Sequence, residues 1–102
     1  MIYHKLVRDK IPEIIAANGG KAEFRQLSDE EYIVCLEQKL DEEAGEYHRD
    51  KTPEELADIL EVVYALAATA GCSREELMEI YRKKHETRGG FEKKLFLISS
   101  EQ

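Results

Sequence analysis

Apolar residues recur at helical spacing in four stretches of the 102-residue chain. The first runs from about Arg8 to Asn18, with Ile11, Ile14 and Ile15 on one side, Pro12 tolerable in an opening turn and Gly19-Gly20 as a stop. The second opens at Ser28 or Asp29, where SDEE sets a capping side chain before acids that suit the positive end of the helix dipole. Its inward positions step by three and four through Ile33, Leu36, Leu40, Glu43 and Tyr47. Glu43 therefore falls where the pattern asks for an apolar side chain. Removing a carboxylate from water is costly unless it is paired or bound to a cation, so this position needs a physical reason.

The third helix has Thr52 as N-cap, Pro53 at the first helical position and Glu55 placed to close a capping box. Its predicted inner stripe is Leu56, Ile59, Leu60, Val63, Leu66, Ala67 and Ala70, and Gly71 ends it. Ser73 with Glu76 caps a fourth helix, which turns Leu77, Ile80 and Tyr81 inward and stops near Arg88, before Gly89-Gly90. The segments IYHKLV, AEFRQL and FEKKLFLISS have the character of short strands or extended arms. With no repeat, low-complexity tract or linker, the pattern predicts one mainly all-α domain over residues 1–102, four helices with short extended or β segments at the termini.

Composition agrees with a soluble helical protein: 42% of residues are hydrophobic, 36% are charged, and there is no Trp. No apolar run approaches the roughly 18 residues of a membrane span, and the N-terminus lacks the features of a signal peptide, so a cytoplasmic location and no membrane contact are expected. Cys35 and Cys72 lack CxxC spacing and are expected as free thiols. His4, His48 and His85 lack metal-binding spacing and are expected at the surface or in packing.

The net charge of -7 argues against a nucleic-acid polymer as partner, and its distribution is more telling. Residues 28–79 carry 16 acids and 4 bases, whereas residues 1–27 are net +2 and residues 80–102 net +3. Because only a few residues around Arg49 to Thr52 join the second and third helices, an antiparallel hairpin is the natural geometry. Reflection about that loop sets Glu46 opposite Glu55 and Glu43 opposite Asp58. Like charges so close repel by about 4 kcal/mol per pair at 4 Å and an effective dielectric of 20, a conflict that a divalent cation resolves. An all-oxygen set favours Mg²⁺, then Mn²⁺. The competing reading is a solvated acidic surface, in which Glu55 serves only its helix cap. Glu42 and Glu61 stand beside the four, either as exposed acids or as groups that ligate, orient water or act as a general base.

EEAGE at 42–46 followed by EELAD at 54–58 resembles the EExxE…ExxD signature of the MazG-like all-α NTP pyrophosphohydrolases. The opening KLVRDKIPEII and closing RGGFEKK are similar to those of a small subgroup described as phosphoribosyl-ATP pyrophosphohydrolase-like, so the resemblance covers nearly the whole chain. The eight residues between Glu46 and Glu55 make a shorter gap than in many MazG proteins. The resemblance implies Mg²⁺-dependent hydrolysis of a nucleoside triphosphate to monophosphate and pyrophosphate, with Glu43, Glu46, Glu55 and Asp58 as metal ligands and Glu42 or Glu61 as the catalytic carboxylate. The basic ends supply phosphate contacts, for which Arg8, Lys10, Arg88 and Lys93 are the candidates.

The expected substrate is a non-standard or excess nucleotide. The helical stripes are too many for so small a core, and the resemblance too suggests a homodimer or higher homo-oligomer, its core completed by helices from two chains. The alternatives are a phosphoribosyl-ATP pyrophosphohydrolase of histidine biosynthesis and a non-catalytic helical dimer module on the same scaffold.

Overall fold

The computed structural model describes residues 4–101, and among these it is all-helical: α1 (Ile11–Ala17), α2 (Asp29–Asp50), α3 (Pro53–Thr69) and α4 (Arg74–Arg88). The first helix starts three residues later than the apolar pattern predicts. Arg8 to Lys10 form a turn instead, in which the Ile11 N–H donates to the Arg8 carbonyl at 3.1 Å. A helix begun at Arg8 would need Pro12 to donate a backbone hydrogen bond to Arg8, and proline has no N–H to give. After Asn18, Gly19 takes a positive φ of 78°, and the Gly20 N–H closes the end by donating to the Ile15 carbonyl at 2.9 Å.

The predicted caps at Ser28 and Ser73 form, each as a full capping box. The Glu31 N–H donates to Ser28 Oγ at 3.2 Å while the Ser28 N–H donates to Glu31 Oε1 at 3.0 Å, and Ser73 and Glu76 repeat the exchange at 3.1 Å in both directions. At the start of α3, Thr52 makes no side-chain cap hydrogen bond. The Glu55 N–H is taken instead by the Thr52 carbonyl at 3.2 Å, which leaves the Glu55 carboxylate free to turn elsewhere. Lys51, left-handed at φ 58°, reverses the chain between α2 and α3.

The helices α2 and α3 pack along one another as an antiparallel hairpin, and α4 leaves α3 at 107° after the Gly71 turn. Tyr64 and Arg74 bridge that corner, the guanidinium lying 4.2 Å from the ring centre. The face of α3 that meets α2 differs from the stripe predicted for it. Val62 is its one buried residue, in line with Glu55 and Asp58, while Leu56 and Leu60 are about half exposed. Because α3 is apolar on more than one side, periodicity alone does not select the face that packs.

The buried apolar residues among those described are Leu36 and Val62, one from each helix of the hairpin. The segments 4–7, 22–27 and 91–100 form no strand among the described residues, and positions 2 and 3 of the predicted IYHKLV strand lie outside them. A strand needs a neighbouring edge for its N–H and C=O groups, and no segment of the described chain offers one. No single helix is long and apolar enough to cross a membrane among the described residues.

A four-carboxylate candidate metal centre

Helical spacing and the tight reversal at Lys51 bring Glu43 and Glu46 of α2 against Glu55 and Asp58 of α3. Each offers one carboxylate oxygen, and the four lie within 4.8 Å of one another. Glu43 is buried, with 7% of its surface exposed, and is the one buried charged residue among those described. Its Oε2 and the Oε2 of Glu55 are both enclosed and have no hydrogen-bond partner. Buried carboxylate oxygens left without a donor are rare in folded proteins and mark a place where something else belongs.

The electrostatics agree. Burial pushes the Glu43 carboxyl above the ordinary carboxylate range, the neighbouring Glu46 pushes it further, and Lys39 opposes both. Glu55 is also raised, first by desolvation and then by the charges of Glu46, Asp50 and Asp58. Two cations reach the cluster, one from each side. Lys39 Nζ lies 3.4 Å from Glu43 and 3.6 Å from Glu42, and Arg8 donates to Asp58 at 2.6 Å and lies 3.7 Å from Glu61. Among the described residues no basic side chain pairs with Glu46 or Glu55.

The donor set fits a hard divalent cation. Four oxygens from carboxylates, without sulfur or imidazole, are the ligands of Mg²⁺ or Mn²⁺. Neutral Asn or Gln in these positions would have removed the repulsion without an ion.

Two of the four carboxylates, Glu43 and Asp58, line a cavity of about 440 Å³, within the usual range for small-molecule sites, together with Arg8, Lys10, Lys39 and Glu61 among others, whereas Glu46 and Glu55 do not line it. The cavity thus gathers several of the residues expected from sequence: buried Glu43, half-buried Asp58, and exposed Arg8, Lys10 and Glu61. Glu42 is exposed, bound to Lys39 and outside the cavity wall, and Arg88 and Lys93 do not line it either. Lys39 escaped the sequence reading, although a lysine one helical turn before Glu43 is the i,i+4 arrangement that places opposite charges in contact. A second concavity of about 350 Å³ near Asp29 and Thr69 holds a lone carboxylate and no cation-binding set. Cys35 and Cys72 are free thiols.

No family model matches this chain, and no solved structure does. Over 42 residues it is 55% identical to an uncharacterized protein of Mycolicibacterium smegmatis (strain ATCC 700084 / mc(2)155), a match covering 41% of this chain and 43% of that protein. The chain thus spans less than half the length of that relative.

Proposed function

We propose that the chain is a Mg²⁺-dependent nucleotide pyrophosphohydrolase that splits a nucleoside triphosphate into monophosphate and pyrophosphate, acting as a homodimer. The observation that carries this reading is the buried Glu43 carboxylate, one oxygen of which has no hydrogen-bond partner, inside a four-carboxylate cluster whose members are the acids of the MazG-like signature. A surface patch of solvated acids has no need to bury one of them.

A bound divalent cation would supply charge neutralisation for phosphate oxygens and a lowered pKa for a coordinated water. The chain's own residues account for the rest. Arg8 and Lys10, in the wall of the cavity, would hold phosphate oxygens, the guanidinium by its fork and the ammonium as a point charge. Glu61 lines the cavity beside Asp58 and is better placed than Glu42 to accept the proton of the attacking water. Water oxygen bonds to phosphorus, the α–β phosphoanhydride breaks, and pyrophosphate leaves with the bonding electrons while the water proton passes to the carboxylate. Lys39, seated against Glu43, favours the anionic form of the buried ligand and so opposes the effect of burial. The homodimer is supported by the thinness of the core, in which Leu36 and Val62 are the buried apolar residues among those described.

Pyrophosphate release from a panel of standard and non-standard nucleotides with Mg²⁺ tests the reading. Release that disappears in Glu43→Gln and in Asp58→Asn is expected. No release from any nucleotide, or release untouched by both substitutions, sinks it.

A further inference from the structure

We infer that the C-terminal arm of this chain packs on a second copy, its Leu95 and Leu97 side chains against the partner subunit's Leu56 and the partner subunit's Leu60. The inference rests on the two-chain assembly proposed above and names the residues that make it.

The arm is apolar, and its own chain does not cover it. Phe91, Leu95, Phe96, Leu97 and Ile98 are 80–96% exposed. Its last backbone hydrogen bond, among the described residues, is a local turn in which the Lys94 N–H donates to the Phe91 carbonyl. Four successive apolar residues, Leu95 to Ile98, place side chains on both faces of an extended segment, a pattern that suits a seam buried between two bodies rather than a surface strand.

Area supports a second copy as the occupant. The chain exposes 9437 Å², about 3,500 Å² more than the ~5,900 Å² of a compact monomer of 11.8 kDa. Its radius of gyration is 18.1 Å, against about 13 Å for a compact domain of this length. Obligate dimer interfaces bury about 2,000–5,000 Å² in total, or about 1,000–2,500 Å² per chain, so a second copy removes a large share of this excess.

Geometry and charge select the α3 face. Leu56 and Leu60, about half exposed and one turn apart, are separated by about 6 Å along the helix axis. Leu95 and Leu97, on one side of an extended segment, are about 6.6 Å apart, so the two pairs match in spacing. Extended, Lys94 to Glu101 reach about 26 Å, the length of α3 itself. Lys93 and Lys94 precede the apolar run, and the hairpin they would approach carries 13 acids and 3 bases between residues 29 and 69. Exchange also gives Lys93 a route to carboxylates of the second copy, which it lacks within its own chain.

Sedimentation of the full chain and intermolecular spin-label broadening test the arm together. The wild type is expected at twice 11.8 kDa, and Leu95→Glu with Leu97→Glu at the mass of one chain with its helical circular dichroism retained. A nitroxide at Ser99→Cys, in a Cys35→Ser and Cys72→Ser background, is expected to broaden the Leu56 and Leu60 amides of an unlabelled ¹⁵N copy mixed with it. A wild type that sediments as one chain, a double variant that stays dimeric, or Leu56 and Leu60 amides of the ¹⁵N copy that stay sharp overturn the arm exchange. Mg²⁺ titration of the same samples separates the two readings: a dimer with trans broadening but no Mg²⁺ binding defeats only the metal site.

Discussion

The guanidinium of Arg8 donates to the Asp58 carboxylate at 2.6 Å, tying the opening segment to the third helix across 50 residues of sequence. Both partners are about half exposed, so the pair contributes at most about 1 kcal/mol to stability. Its larger effect is on the site, where the guanidinium neutralises one carboxylate of the cluster in the absence of an ion. Arg8→Ala is expected to leave the unfolding midpoint nearly unchanged and to tighten Mg²⁺ binding up to about fivefold, the equivalent of that one interaction. The same variant should weaken pyrophosphate binding in the presence of Mg²⁺, and Arg8→Lys should restore it only in part. Calorimetric titration with Mg²⁺ and then pyrophosphate reads both; unchanged affinities would remove Arg8 from the site.

Glu43→Gln keeps the shape of the buried side chain and removes its charge. In EDTA the variant should be at least as stable as the wild type, because the substitution relieves burial of a charge and repulsion from Glu46. With Mg²⁺ the order reverses. A site filled at a hundred times its Kd stabilises the wild type by about 2.7 kcal/mol, and the variant should lose most of that gain. Thermal melts with and without Mg²⁺ check it, and an equal response in both proteins would argue against Glu43 as a ligand.

Much of this site was legible in the sequence because two rules of helix geometry suffice for it. Glu43 interrupts an apolar stripe, and a short reversal at Lys51 sets Glu43 and Glu46 opposite Asp58 and Glu55. The register of α3 was less legible. Leu56, Leu60 and Val62 are equally apolar, so only the packing of α2 decides that Val62 turns inward and the two leucines outward. Glu55 was named with the other three but carried an ambiguity of another kind, since TPEE also spells a capping box. The C-terminal arm reads as a strand because β-branched and aromatic residues favour one, but the described chain holds no edge to pair with it.

The raised carboxyls of Glu43 and Glu55 give the metal-free chain an unusual pH profile. A raised acid holds its proton in the native state between the usual 4.5 and its own higher value. The native state then binds more protons than the unfolded one, and stability falls as pH rises through that window. At the acid end the sign is opposite: Glu31 is lowered to about 2, first by its hydrogen bond from Arg25 and then by Ser28, and loses its contribution as pH falls from 4.5 toward that value. Melts in EDTA should therefore peak near pH 4.5, the ordinary carboxylate value, and decline above it as the two raised carboxyls ionise. Glu43→Gln should flatten the upper side, and Mg²⁺ should reverse it. A midpoint that climbs steadily to pH 7.5 in EDTA would show that the cluster is not repulsive.

The thin hairpin core predicts a steep contrast between neighbours on α2. Leu36 is 4% exposed, and Leu36→Ala should cost about 2–5 kcal/mol through lost burial and the cavity left behind. Val34, two residues away and 54% exposed, should cost less than about 0.5 kcal/mol on the same truncation. Urea unfolding of both variants measures the difference, and similar losses would mean that α2 packs on another face.

Capping gives the most discriminating test of where Glu55 belongs. At Ser28 and Ser73 the hydroxyl accepts the N–H of the residue three positions on, so Ser28→Ala and Ser73→Ala should each cost about 1 kcal/mol. Thr52 stands in the same position at α3 but makes no such bond, and Thr52→Ala should change stability by less than about 0.5 kcal/mol. The three substitutions remove comparable groups from comparable helix starts, so propensity and solvent effects largely cancel in the comparison. If Thr52→Ala proves as damaging as the other two, the Thr52 hydroxyl caps α3 in solution and Glu55 is drawn back to the helix start, leaving three carboxylates to hold a cation. If it is silent, Glu55 is free of the cap, and its unpartnered buried oxygen belongs with Glu43, Glu46 and Asp58.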